Sequence, residues 1–167
     1  MEAILKPKDL SVEQRRLVVG GMGGIGKTQL AITYAVRHRH SYESIFWLNA
    51  TSSKTLQDSL HQLVQHILTP DELKHCDDDQ LVVHVSRWLS EPDNTRWLLI
   101  FDNYDEPDQY QINKFYPDAS HGSIIITTRL PDLVRGATIK VQHLDQIEDS
   151  LKILETRSER QNVNSGQ

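Results

Sequence analysis

The chain has 167 residues, a formal net charge of −5 and 25% charged residues, which excludes a general nucleic-acid binder and favours one domain with one core. Its single cysteine, Cys76, excludes an internal disulfide and fits a reducing compartment. The longest apolar run, Trp97 to Phe101, falls far short of the ~20 residues that cross a bilayer, so the sequence reads as cytoplasmic with no membrane contact.

In chain order, "RLVVG" (16–20) is a short apolar run that suits a buried strand, and the pattern from Lys27 to about His38 predicts a helix with Leu30, Ala31, Tyr34 and Ala35 on one face. "SIFWLNA" (44–50) predicts a second strand. Leu56, Leu60, Leu63, Val64 and Ile67 recur at helical spacing, with a stop expected before Pro70. Leu81 to Leu89 predict another helix, closed by Pro92, with Asp77, Asp78 and Asp79 as its solvated start. "RWLLIFDN" (96–103) and "GSIIITTR" (122–129) predict two buried strands, and "TIKVQ" (138–142) a weaker one nearer an edge. Asp145 and Glu148 have capping-box spacing at the head of a last helix, and the end of the chain is polar. Trp47, Trp88 and Trp97 lie on predicted core elements and read as packing residues. The histidines near Cys76, and His38 with His40, lack a repeated ligand spacing and read as coincidence.

Five strands interleaved with helices predict an α/β fold, a three-layer α/β/α sandwich around a mostly parallel five-stranded sheet. Ligands of such sheets bind at the carboxyl ends of strands, where a glycine cluster over residues 20–26, Asp102 and Arg129 all fall. The expected divisions are a lead-in over 1–15, the α/β domain itself over 16–143, and the start of a following helical segment with its tail over 144–167.

Gly21-Met22-Gly23-Gly24-Ile25-Gly26-Lys27-Thr28 matches the phosphate-binding pattern G-x-x-x-x-G-K-[ST] of P-loop NTPases. Such a match arises by chance in about one chain of this length in a hundred, and its strand–loop–helix setting makes it rarer. Gly21, Gly23, Gly24, Ile25 and Gly26 would turn backbone N–H groups inward on phosphate, with Gln29 just behind them in the first helical turn. Lys27 would reach the β and γ phosphates, and the Thr28 hydroxyl would ligate Mg²⁺. Asp102, after "LLIF", occupies the place of the Mg²⁺-linked acid. Asn103 can hydrogen-bond a water but cannot accept its proton, so hydrolysis is expected to be slow at best. Arg129 suits a γ-phosphate contact as well as it suits a surface loop.

Four ordered segments, "GMGGIGKTQLA", "IFWLNA", "RWLLIFDNYDEPD" and "GSIIITTR", resemble the nucleotide-binding core of the NB-ARC group of signal-transduction (STAND) ATPases, in the fungal and bacterial style. The resemblance covers roughly residues 14–156. It implies ADP or ATP with Mg²⁺ as ligand and Lys27, Asp102 and Arg129 as the residues closest to the chemistry. It also implies a nucleotide switch of NOD-like receptor type in innate immunity, the other domains of a larger receptor as partners, and a homo-oligomer in the ATP state. The family's base-contacting segment with its Gly-Arg-Glu motif would lie upstream of Met1, and its Gly-Leu-Pro and His-Asp motifs downstream. The expectation is a natural short protein or an excised domain. Two other classes remain open: a non-hydrolysing, nucleotide-dependent oligomerisation module, and a small P-loop kinase, disfavoured because "TTRLPDLVRGATIK" holds no arginine cluster. A GTPase is weaker still, since position 116 of "NKFYPD" is tyrosine.

Overall fold

A computed structural model describes residues 1–5, 14–74 and 77–142. A four-residue helix, α1 (Glu2–Leu5), precedes β1 (Arg15–Gly20), whose last residue opens the glycine loop into α2 (Lys27–Arg37). Next come β2 (Ser44–Asn49) and α3 (Ser53–Val64). The α3 start is fixed by a reciprocal cap: Thr55 N–H donates to Ser52 Oγ at 3.2 Å, and Ser52 N–H to Thr55 Oγ1 at 3.0 Å. Pro70 does more than bound that helix, because it opens a short helix of its own, α4 (Pro70–Leu73). Helix α5 (Asp78–Ser90) starts from the same kind of cap, between Asp77 and Gln80. Then follow β3 (Trp97–Asp102), β4 (Ser123–Thr128) and β5 (Ala137–Lys140).

The strands form one five-stranded sheet in the order β2-β3-β4-β1-β5, with every pair parallel. The expected sandwich is therefore found, and the weak last strand does lie at an edge. β4, the fourth strand in sequence, sits between the strand that feeds the glycine loop and the strand that ends in Asp102. The helix foreseen after Asp145 lies outside the described residues.

Side chains alternate across a strand, and that alternation builds two cores. Trp97, Leu99 and Phe101 of β3, with Ile124 and Ile126 of β4, face α3 and α5. Leu98 and Ile100, with Leu17, Val19 and Ile125, face α2 and α1. Strands buried on both faces cannot carry a polar stripe, which is why β3 and β4 read as continuous apolar runs.

One expectation fails. Trp47 is not core: it is 39% exposed, whereas Trp97 is buried and Trp88 packs edge-on against Phe46. Trp47 shares the α2 face with Ile45, but β2 is an edge strand and α2 packs over β4, two strands away, so the helix does not cover it. Helix α3 also ends at Val64 rather than running on through Ile67, which meets the same core from the turn that follows.

Candidate functional site

The period of two that builds the cores also builds the site. Counting along β3, Leu98, Ile100 and Asp102 share the α2 face, and along β4 so do Ile125 and Thr127. Asp102 and Thr127 therefore emerge side by side at the carboxyl end of the sheet, beneath the first turn of α2. The carboxylate is the hub. Asp102 Oδ1 accepts from Thr28 Oγ1 at 2.9 Å and from Thr127 Oγ1 at 2.6 Å. Thr127, only 1% exposed, also accepts from Asn103 N–H at 2.8 Å. Its hydroxyl is thus satisfied as donor and acceptor, as a buried hydroxyl must be.

The backbone here is unusual. Asn103 has φ 67°, a left-handed conformation that asparagine tolerates better than most residues. This turn sends its side chain toward Thr51, with Nδ2 donating to Thr51 Oγ1 at 3.3 Å, and Thr51 Oγ1 in turn donates to Asn49 Oδ1 at 2.6 Å. Tyr104 N–H then pairs with Thr127 O at 2.9 Å, and Tyr104 OH donates to Tyr110 O at 2.8 Å. Tyr110 OH closes the loop on Ala50 O. Burial, chiefly, pushes the Tyr110 phenol well above its ordinary range, so it stays protonated and donates.

On the other side lies the glycine loop. Gly26 caps α2 with φ 99°, a conformation costly for any residue with a Cβ. Gly20 must be small for a different reason, since a Cβ there would lie 2.4 Å from Pro131 Cγ. Lys27 is buried, and its Nζ donates to Gly21 O and Met22 O, both at 2.9 Å. The loop's N–H groups and the α2 N-terminus carry positive potential toward the adjoining space.

Two cavities meet at this loop. One of about 560 Å³ is lined by Gly23, Gly24, Gly26, Lys27, Thr28, Gln29, Asn103, Asp105 and Arg129. The other, about 770 Å³, continues past Gly23 and Arg129 to Met22, Ile25, Pro131 and Val141. All the residues expected at the site are thus brought together, with Gly21 and Ile25 on the wider cavity and Asp102 just beneath the Thr28 hydroxyl. Sequence reasoning missed Thr127, whose hydroxyl joins Asp102 to the Asn103 backbone. Asp105, three residues beyond the strand end, accepts from both the backbone and the side chain of Arg129. The only signal for either was its place beside a strand end.

Hard oxygen donors at Thr28 and Asp102, within 2.9 Å of each other beside the glycine loop, suit Mg²⁺, which takes few protein ligands. The fold and this arrangement define a P-loop α/β domain. The NB-ARC domain family matches residues 2–164, and the chain belongs to that family. It is 26% identical over 174 residues to a nucleotide-binding leucine-rich repeat (NLR)-like protein of Hyaloscypha variabilis, a match spanning 91% of this chain and 17% of that protein. It is also 26% identical over 118 residues to a protein named for disease resistance in Arabidopsis thaliana, covering 66% of this chain and 12% of that one. The chain thus spans under a fifth of the length of these relatives. Among solved structures, the ORC2 protein of Aeropyrum pernix in its ADPNP–ADP complexes aligns with a TM-score of 0.55 at 15% identity, over 88% of this chain and 46% of that one, a likeness of fold. Among the described residues no helix is long and apolar enough to cross a membrane.

Proposed function

We propose that this nucleotide-binding domain of the NB-ARC family takes ADP or ATP with Mg²⁺ and serves as the switch module of a larger receptor of NOD-like type, with slow hydrolysis at best. The observation that carries the reading is the shared carboxylate: Asp102 holds the Thr28 and Thr127 hydroxyls on one oxygen, directly beside the glycine loop. Nothing in a surface turn requires a strand-end acid to meet the hydroxyl of the G-K-[ST] motif.

The assignments follow from position. Phosphates would lie in the smaller cavity against the loop N–H groups of Gly23, Gly24 and Gly26, with Lys27 exchanging its carbonyl partners for phosphate oxygens. Thr28 and Asp102 would hold Mg²⁺, which when bound neutralises phosphate charge. Base and ribose would occupy the wider cavity, whose Met22, Ile25, Pro131 and Val141 offer apolar surface to an aromatic ring. Arg129, on the boundary of both cavities, would meet the γ-phosphate. Asn103 lines the same cavity and can orient a water by hydrogen bonding, yet it offers no base at neutral pH. That supports slow turnover and a switch that depends on which nucleotide is bound. The receptor setting, an immune role and assembly in the ATP state rest on the family and on what its relatives are named.

Calorimetric titration of nucleotide-free protein with ADP and with ATP, each with and without Mg²⁺, tests the reading. Saturable binding strengthened by Mg²⁺ and lost in Lys27→Ala is the expected result. Folded protein that takes neither nucleotide would sink it, and binding with no measurable product at long times would favour the non-hydrolysing oligomerisation module.

A further inference from the structure

The loop after β3 contains an acid that the nucleotide reading leaves unused. Asp105 reaches back across the site to the residue after β4. Its Oδ1 accepts from Arg129 N–H and its Oδ2 from Arg129 Nε–H, each at 2.6 Å. The two partners differ in exposure: the Asp105 side chain is 8% exposed and that of Arg129 58%. An exposed arginine gains little stability from an ion pair in water. The significance of this pair is therefore geometric.

An arginine carries five N–H donors in a rigid planar fork, one on Nε and four on the terminal nitrogens. A carboxylate that takes the backbone N–H and Nε together fixes both the root of the side chain and the plane of its guanidinium. The terminal nitrogens stay available on the rim where Arg129 borders the phosphate cavity. The carboxylate, in turn, cannot easily release the arginine, because losing the Nε bond would leave a largely buried charge short of a partner. That argues for a standing clamp rather than a counter-ion that gives way to phosphate. The loop carrying Asp105 is itself anchored through Tyr104 to β4 and to Tyr110, so the clamp has a rigid base.

We infer that Asp105 is the positioning residue for Arg129, holding its guanidinium at the far end of the phosphate cavity so that the site distinguishes a nucleoside triphosphate from a diphosphate. The inference rests on the nucleotide reading proposed above and adds the residue that confers the discrimination. It separates two tasks: the glycine loop and Lys27 hold any di- or triphosphate, and the Asp105–Arg129 pair responds only to the third phosphate.

The test compares the Mg²⁺ complexes of ADP and a non-hydrolysable ATP analogue by calorimetry, using the whole chain and Asp105→Asn. Asparagine keeps the size and an acceptor for Arg129 N–H, but its amide nitrogen cannot accept from Nε. ADP affinity should stay within about twofold of the parent, while affinity for the ATP analogue falls about tenfold, the size of one charge-assisted hydrogen bond. Arg129→Lys, which keeps the charge but loses the fork, should lose the same discrimination, and the double variant should be no worse than either single one. Equal losses for both nucleotides would reduce Asp105 to a structural role, and tighter binding of the ATP analogue would make it a competing counter-ion; either overturns the inference. A parent protein that binds neither nucleotide overturns the functional reading and the discrimination together. In that event the Arg129 Nε–H resonance of nucleotide-free protein, expected to be protected in the parent and lost in Asp105→Asn, still reports whether the clamp exists.

Discussion

The two banks of the smaller cavity at the glycine loop are built on opposite plans. On the strand side, Asp102, Thr127, Asn103, Asp105 and Arg129 are each hydrogen-bonded to a residue from another part of the chain. On the loop side, Lys27 donates to carbonyls of its own loop, at Gly21 and Met22. The strand bank is held by long-range bonds that folding itself must make. The loop bank holds its lysine through short-range bonds to neutral carbonyls, which phosphate would replace on the proposed reading. One bank supplies geometry fixed in advance; the other supplies charge that can be redirected.

Breaking the loop bank should cost binding and little else. Lys27→Ala is expected to weaken nucleotide affinity at least about 100-fold, roughly 2.7 kcal/mol, while unfolding free energy changes by less than about 1 kcal/mol. Parallel titration and urea denaturation check this, and a large loss of stability would erase the contrast between the banks.

Breaking the strand bank should cost both. Asp102→Ala removes the acceptor shared by Thr28 and Thr127, and should destabilise the fold by about 2 kcal/mol while abolishing the Mg²⁺ dependence of binding. Urea denaturation and titration with and without Mg²⁺ measure the two effects separately. A variant as stable as the parent would mean that the network is incidental to folding.

Thr127→Val sharpens the point at nearly constant volume. It leaves Asn103 N–H and one lone pair of Asp102 unpartnered beside a buried methyl, for an expected loss of about 1–2 kcal/mol in unfolding free energy. Lys27 should then still support ADP binding at full strength, which calorimetry on the same sample can show.

The last effect is one of pH, and it reads out the burial of three phenols. Burial is the first cause that raises the phenols of Tyr34 and Tyr110 well above their ordinary range, and it pushes Tyr116 up to about 12 despite the opposing charge of Arg16 over its ring. The unfolded chain loses these protons near pH ~10, so above that pH the folded state binds more protons than the unfolded one. Stability is therefore whole below pH ~10 and falls as pH rises past it, by up to about 1.4 kcal/mol per unit for each tyrosine. Tyr116→Phe should make the decline between pH ~10 and about 12 shallower, as unfolding midpoints at pH 9, 10 and 11 would show.

How much of this could be read from the chain varies with range. The glycine loop was legible because its chemistry is local: consecutive backbone N–H groups, a lysine and a hydroxyl all lie within eight residues of one another. Asp102 was legible for the same reason, as an acid closing an apolar run. Trp47 was misread because aromatic content marks a strand without saying whether that strand ends up at an edge. Thr127 was passed over because a threonine at the end of an apolar run reads as ordinary β-propensity, and its partners come from distant parts of the chain.

By itself, then, the sequence determined the class of fold, the place of the glycine loop and the acid that faces it, since periodicity and contiguous motifs act over a few residues. Only the tertiary structure decided that β4 would lie between β1 and β3, bringing Thr127 under Asp102 and Arg129 within reach of Asp105. Strand order is set by which buried faces pack best together, and that is a property of the whole core rather than of any one segment.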